Sequence, residues 1–144
     1  MASFYNYKCS PFRWHEVNGL YVVDNPFTIT LEDKEYVYRF DFMPGLMTDG
    51  GSIPKALQWF IKGWSDDYSY NGCYILHDFC YGSECVHRKI GDDMLRCSLR
   101  DYGIDRLHAS TVCWAVNNFA CRHYGRMKDE LDIASYGTMS IASK

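Results

Sequence analysis

Tyr36-Val37-Tyr38-Arg39-Phe40-Asp41-Phe42 sets an aromatic residue at every second position, with Val37, Arg39 and Asp41 between them. A period of two puts the four aromatic rings on one face of an extended strand and the intervening residues on the other. Upstream, Asp24-Asn25-Pro26 and Glu32-Asp33-Lys34 are turn clusters bracketing a shorter strand, Phe27 to Leu31. From Leu20 to about Phe42 the chain therefore reads as a small antiparallel sheet. Past Pro44-Gly45 the spacing becomes helical and does not return to period two.

The change of period falls at Thr48-Asp49-Gly50-Gly51-Ser52-Ile53-Pro54. Ser52 suits an N-cap and Pro54 the first turn of a short helix through Trp59. A second helix is expected from about Asp67 to Tyr81, stopped at Gly82 in a left-handed C-terminal position. A third runs from about Arg88 to Arg100, ending before Gly103. A fourth runs from Asp105 to Tyr124, with Val112, Ala115, Val116, Phe119 and Ala120 as an apolar stripe. Ser135 to Lys144 is small and polar and reads as a mobile or partner-ordered tail. The expected architecture is α+β: an N-terminal sheet over about 20–43, a helical half over 52–125 with an antiparallel helix pair, and a tail over 135–144. All 144 residues form one domain in this reading.

A net charge of −3 with scattered basic residues gives no electrostatic footprint for nucleic acid. No stretch approaches the roughly 18 apolar residues of a spanning helix, and Met1-Ala2-Ser3-Phe4-Tyr5 lacks the basic and apolar regions of a signal peptide. The seven cysteines are thus expected as reduced thiols, most of them small core residues. None of their spacings is C-x-x-C, and Cys80, Cys85 and His87 form only a loose cluster for zinc.

Chemistry points to Cys73-Tyr74-Ile75-Leu76-His77-Asp78-Phe79-Cys80-Tyr81. Adjacent helical residues project about 100° apart, so His77 and Asp78 cannot share one polar face. In a run this apolar, at least one needs a partner from another element, because an unpaired buried charge costs several kcal/mol. Cys73, His77 and Tyr81 lie in one row at four-residue spacing. Asp92, on the next helix, is the candidate carboxylate for His77. His15, His87, His108 and His123 read as isolated histidines without a carboxylate at useful spacing.

Three blocks, Thr48 to Pro54, His77-Asp78-Phe79-Cys80-Tyr81 and Arg88-Lys89-Ile90-Gly91-Asp92, resemble an uncharacterised family common in phage and prophage genomes. Its pattern is T-D-G-x-S-I-P, H-D-x-x-Y and R-x-x-A-D; Gly91 stands at the usual alanine. The resemblance covers about Asp41 to Phe119. It implies a phage-type protein that acts in the host cytoplasm or travels in the virion.

Cys73 to Tyr81, read as C-x-x-x-H-D-x-C-Y, is also similar to the active-site helix of secreted phospholipases A2. That similarity implies a phospholipase A2-like fold and a calcium-dependent esterase acting on a lipid or other ester. His77 would be the base, Asp92 the orienting carboxylate and Tyr81 a partner in the hydrogen-bond network. Asp78 would bind calcium, with loop ligands at Gly50, Gly51 and Asp49. Two departures stand out: Tyr74 replaces a disulfide cysteine of that pattern, and the loop lacks the tyrosine and glycine spacing of the secreted enzymes. A histidine near neutral pKa can draw a proton from water, and calcium accepts carboxylate and backbone oxygens together.

Other chemistries fit less well. A His-Asp phosphohydrolase needs an upstream histidine on a helix, and His15 precedes the strands. Cys73 and His77 share a row, but both are read as helix interior, with no oxyanion loop beside the sulfur. The non-enzymatic alternative is a virion or accessory protein that docks on a phage or host protein, with the His/Asp/Tyr cluster as a structural staple.

Overall fold

The computed structural model describes residues 4–48, 64–115, 118 and 132–144. The short helix expected through Trp59, the Ser52 cap and the loop residues Asp49, Gly50 and Gly51 lie outside the described residues, as does most of the chain expected to extend the fourth helix from Val116 to Tyr124. The strands are β1 (Tyr5–Cys9), β2 (Trp14–Val17), β3 (Leu20–Val23), β4 (Phe27–Glu32), β5 (Tyr36–Phe42), β6 (Met47–Thr48) and β7 (Gly137–Ser143). The helices are α1 (Tyr68–Ser83), α2 (Arg88–Tyr102) and α3 (Arg106–Ala115), with a 3₁₀ turn at Ile133–Tyr136 before β7. The α+β expectation, antiparallel strands first and helices after, is the architecture found.

The β5 alternation does what its period requires. Phe40 and Phe42 face Ile29 and Phe27 of β4 across the antiparallel pair, and all four are buried. Their rings meet Phe79 of α1 edge-on, at centroid separations of 6.2 and 5.4 Å. On the opposite face, Asp41 accepts from the Thr28 hydroxyl at 2.8 Å and pairs with Arg39. The four-stranded sheet has the order β1-β4-β5-β7, and a second sheet has the order β2-β3-β6.

Two expectations change here. Residues 137–143 are no tail: β7 pairs along all of β5, from Tyr36↔Ser143 to Phe42↔Gly137. Backbone pairing to β5 forms this strand, and Met139 opposite Phe40 adds a side-chain contact. Helix α1 also runs through Gly82. Glu84 takes the left-handed position (φ 55°, ψ 29°), and its N–H donates to the Cys80 carbonyl at 3.0 Å.

Thirteen consecutive residues of α1, Tyr70 to Gly82, are buried, as expected of a helix apolar on nearly all sides. Asp67 caps its start by accepting from Ser69 N–H. Against it, α2 runs antiparallel: Cys80 abuts Gly91, His77 meets Asp92, and Tyr70 meets Tyr102. Helix α2 ends at Gly103 (φ 124°), as its position predicts. Asp105 accepts from His108 N–H at 2.9 Å and so holds the first turn of α3. Strand β1 is tied to α2 by Tyr7 N–H donating to Asp101 at 2.9 Å.

Candidate active site

The antiparallel packing of α1 on α2 brings three of the expected residues together. Asp92 Oδ1 accepts from His77 Nε2 at 2.8 Å and from the Tyr81 hydroxyl at 2.6 Å. His77 and Tyr81 are one helical turn apart, so both donors reach the same oxygen from one side of α1. Asp92 and Tyr81 are each 1% exposed and His77 is 5% exposed. The second Asp92 oxygen, Oδ2, is buried with no hydrogen-bond partner among the described residues. Gly91, at the alanine position of the expected block, packs closely: a Cβ there would lie 3.1 Å from Cys80 Cβ.

Asp78 turns away from Asp92. Its Oδ2 accepts from the Thr48 hydroxyl of β6 at 3.0 Å, and its Oδ1 lies 3.9 Å from His77 Nδ1. That second distance is beyond hydrogen-bond reach, so Asp78 acts on the imidazole through its charge. Burial alone would lower the His77 pKa. The carboxylates of Asp78 and Asp92 outweigh it, and the pKa stands above its ordinary 6.5. Thr48, which its sequence block leaves without a role, joins this network because β6 lies beside α1 with the Thr48 hydroxyl donating to Asp78.

The candidate metal ligands divide differently. Asp78 is in place, whereas Asp49, Gly50 and Gly51 lie outside the described residues. Among the described residues no group of three His, Cys, Asp or Glu side chains is placed to hold a metal. One carboxylate falls short of the six to eight oxygens calcium takes, so the described residues alone do not fit the ion.

Two histidines expected to be isolated have carboxylate partners. His15 Nδ1 lies 2.6 Å from Asp24, two residues brought together as β2 pairs with β3. His108 Nδ1 pairs with Asp105, three residues back on the first turn of α3. His87 Nδ1 accepts from Lys89 N–H and caps α2. Cys9, Cys73, Cys80, Cys85 and Cys97 carry free thiols. Among them Cys85 is distinct: a hydrogen bond from Cys80 lowers its pKa to about 7 against the opposing effect of burial.

An α+β protein with a buried His-Asp-Tyr cluster between its two longest described helices is the class that fold and site define. The sequence pattern of a family described as "Protein of unknown function (DUF1353)" matches residues 21–116, and the chain belongs to that family. The matched segment contains β4, β5, α1 and α2 whole, with every residue of the cluster; β1 and β7, the outer strands of the larger sheet, lie beyond it. No curated protein and no solved structure matches the chain. A family of unknown function is consistent with the expected uncharacterised family, and the phospholipase A2-like fold has no solved counterpart behind it. No helix among the described residues is long and apolar enough to cross a membrane.

Proposed function

We propose that His77 is the general base of a hydrolase site, oriented by Asp92 and Tyr81, that activates water for attack on an ester. One observation carries the reading: Asp92 Oδ1 binds His77 Nε2 while Tyr81 holds the same oxygen. In the neutral imidazole, Nε2 then carries the proton and Nδ1 the lone pair. Nδ1 takes a proton from water as the water oxygen adds to the ester carbonyl, Asp92 stabilises the imidazolium formed, and collapse of the tetrahedral adduct breaks the ester C–O bond, the imidazolium returning its proton to the leaving alcohol. Tyr81 fixes the carboxylate that fixes the ring.

In its finer form the proposal is a calcium-dependent lipid esterase, with Asp78 as the protein carboxylate at the ion. Asp49 and the backbone of Gly50 and Gly51 are the residues proposed to complete the ligand set. Similarity of the Cys73–Tyr81 stretch to phospholipases A2 supports this form, and resemblance of the three blocks to phage proteins supports a virion or host-cell setting.

A specific observation favours the alternative, a structural staple in a phage accessory or virion protein. Both ring nitrogens of His77 face carboxylates, and its raised pKa favours the imidazolium over the base. The deciding experiment is hydrolysis of a panel of phospholipids and short-chain esters by the wild-type protein, His77→Asn and Asp92→Asn, each shown to be folded by circular dichroism. Turnover lost in both variants supports the base, and loss on chelation supports calcium. Folded wild-type protein that turns over no member of the panel leaves the staple.

A further inference from the structure

A cavity of about 550 Å³ opens between the start of α1, the end of α2 and the start of α3. None of the catalytic or metal candidates lines it. Its volume falls in the range of small-molecule sites, roughly 300–1,000 Å³. Three tyrosines form one wall: Tyr70 lies 5.3 Å from Tyr74 and 5.4 Å from Tyr102, with ring planes inclined at 66° and 57°. Leu99, Ile104 and Val112 give it an apolar part.

The polar side of the cavity is predominantly acidic, with His108 paired to one of its carboxylates. Asp66, Asp67 and Asp105 line it, and no lysine or arginine appears among its described lining residues. Asp67 is fixed twice, by Ser69 N–H at 2.9 Å and by the Tyr102 hydroxyl at 2.6 Å, so a carboxylate and an aromatic ring are held side by side. Asp105 is shared with His108. Rings set at steep angles to one another beside a carboxylate suit a cation that keeps an apolar surface. Such a cation gains from the negative faces of the rings and from the nearby charge, while its methyl groups meet Leu99, Ile104 and Val112. An anion would face three carboxylates.

We infer that this cavity binds an alkylated ammonium group, carried by a free amine or by a lipid headgroup. The site goes beyond the proposed hydrolase and does not depend on it.

The test is an NMR titration of the full chain with choline, set against neohexanol, in which carbon replaces the charged nitrogen. Choline should give saturable shifts at Tyr70, Tyr74 and Tyr102, and neohexanol should bind about tenfold more weakly. Tyr102→Leu should weaken choline binding about tenfold, whereas Tyr102→Phe, which keeps the ring, should largely restore it. Asp66→Asn, an exposed change that leaves the fold intact, should weaken binding and reduce its salt dependence. Monomeric short-chain phosphatidylcholine, titrated into His77→Asn protein to prevent hydrolysis, separates the two sources; tighter binding than free choline assigns the ammonium to a lipid. The inference is overturned if neither choline nor the lipid gives saturable shifts at the three tyrosines, or if neohexanol binds as tightly as choline.

Discussion

The ring of Tyr81 lies 4.2 Å from that of His77, centroid to centroid, with 41° between their planes. The tilt lets two side chains one turn apart on α1 donate to a single oxygen of Asp92. A carboxylate buried to 1% exposure, with its other oxygen unpartnered among the described residues, thus has its charge answered from one side.

Tyr81→Phe keeps the ring and removes one of these two donors. Loss of a buried hydrogen bond to a charged acceptor is expected to cost about 1.5–3 kcal/mol, read as a shift in the urea unfolding midpoint at unchanged slope. Asp92→Ala should cost more, about 3–5 kcal/mol, because it leaves His77 buried beside Asp78 without its closer partner. A double-mutant cycle between the two positions should show strong coupling; additive effects would mean that the tyrosine does not act through Asp92.

The raised pKa of His77 makes stability depend on pH with a definite sign. Its contribution is fully present below the unfolded value near 6.5 and is lost as pH rises through the higher folded value. Chelated protein should therefore show a fall in melting temperature across that interval, and His77→Asn should flatten the fall. A wild-type curve parallel to that of the variant would remove the argument that Asp78 and Asp92 together hold the imidazolium.

Cys85 should be the most reactive thiol among the described cysteines. With its pKa at about 7, alkylation by iodoacetamide should reach half its plateau rate near that pH. Buried Cys80, pushed well above the usual thiol range by the Cys85 hydrogen bond and by burial, should stay unmodified in the folded protein. Cys80→Ala removes the donor and should move the Cys85 profile toward the ordinary value of 9.0. Peptide mapping after graded alkylation reads both results.

Removal of residues 137–144 separates a strand from a tail. Deleting β7 bares one whole edge of β5, which keeps its pairing to β4, and removes the Lys144–Glu32 ion pair at 2.8 Å. The melting temperature should fall by well over the roughly 2–4 °C that about 1 kcal/mol moves a domain of this size. An unchanged value would return the segment to the status of a dispensable tail.

At Gly72, a Cβ would lie 2.6 Å from the Tyr7 hydroxyl and 2.8 Å from Cys9 Sγ. Gly72→Ala should therefore displace the Tyr7 and Cys9 side chains of β1, break the Tyr7–Ser69 hydrogen bond and destabilise by about 1–3 kcal/mol, despite the better helix propensity of alanine. Calorimetry of the two proteins side by side checks the sign.

Local patterning carried the sequence reading a long way. Phe27–Leu31 and Tyr36–Phe42 declare themselves by alternation, Gly103 marks the end of α2, and helical spacing links His77 to Tyr81 and points across to Asp92. Strand β1 escaped because Asn6 adopts φ 56° and the register slips between Tyr5 and Lys8, which breaks the period. Strand β7 escaped for another reason: Gly137-Thr138-Met139-Ser140-Ile141-Ala142-Ser143 has little apolar face of its own, and pairing with a distant β5 makes it a strand. Gly82 marks the end of α1 too early, because Glu84 in the left-handed region carries no local signal. Thr48 and the tyrosine-lined cavity depend on contacts between elements, which no spacing within one element reveals.

The place of β7 at the border of β5 also bears on the order of assembly. Lys144 Nζ approaches the Tyr5 hydroxyl from 139 positions away, and β5 acquires its outer neighbour only when residues 137–143 arrive. During synthesis, after α1, α2 and α3 have emerged, an aromatic strand still presents one unpaired row of amides and carbonyls. Such an edge invites pairing with another chain. Closing this edge is a long-range step, and the newly made protein is expected to be most prone to aggregation before it is complete.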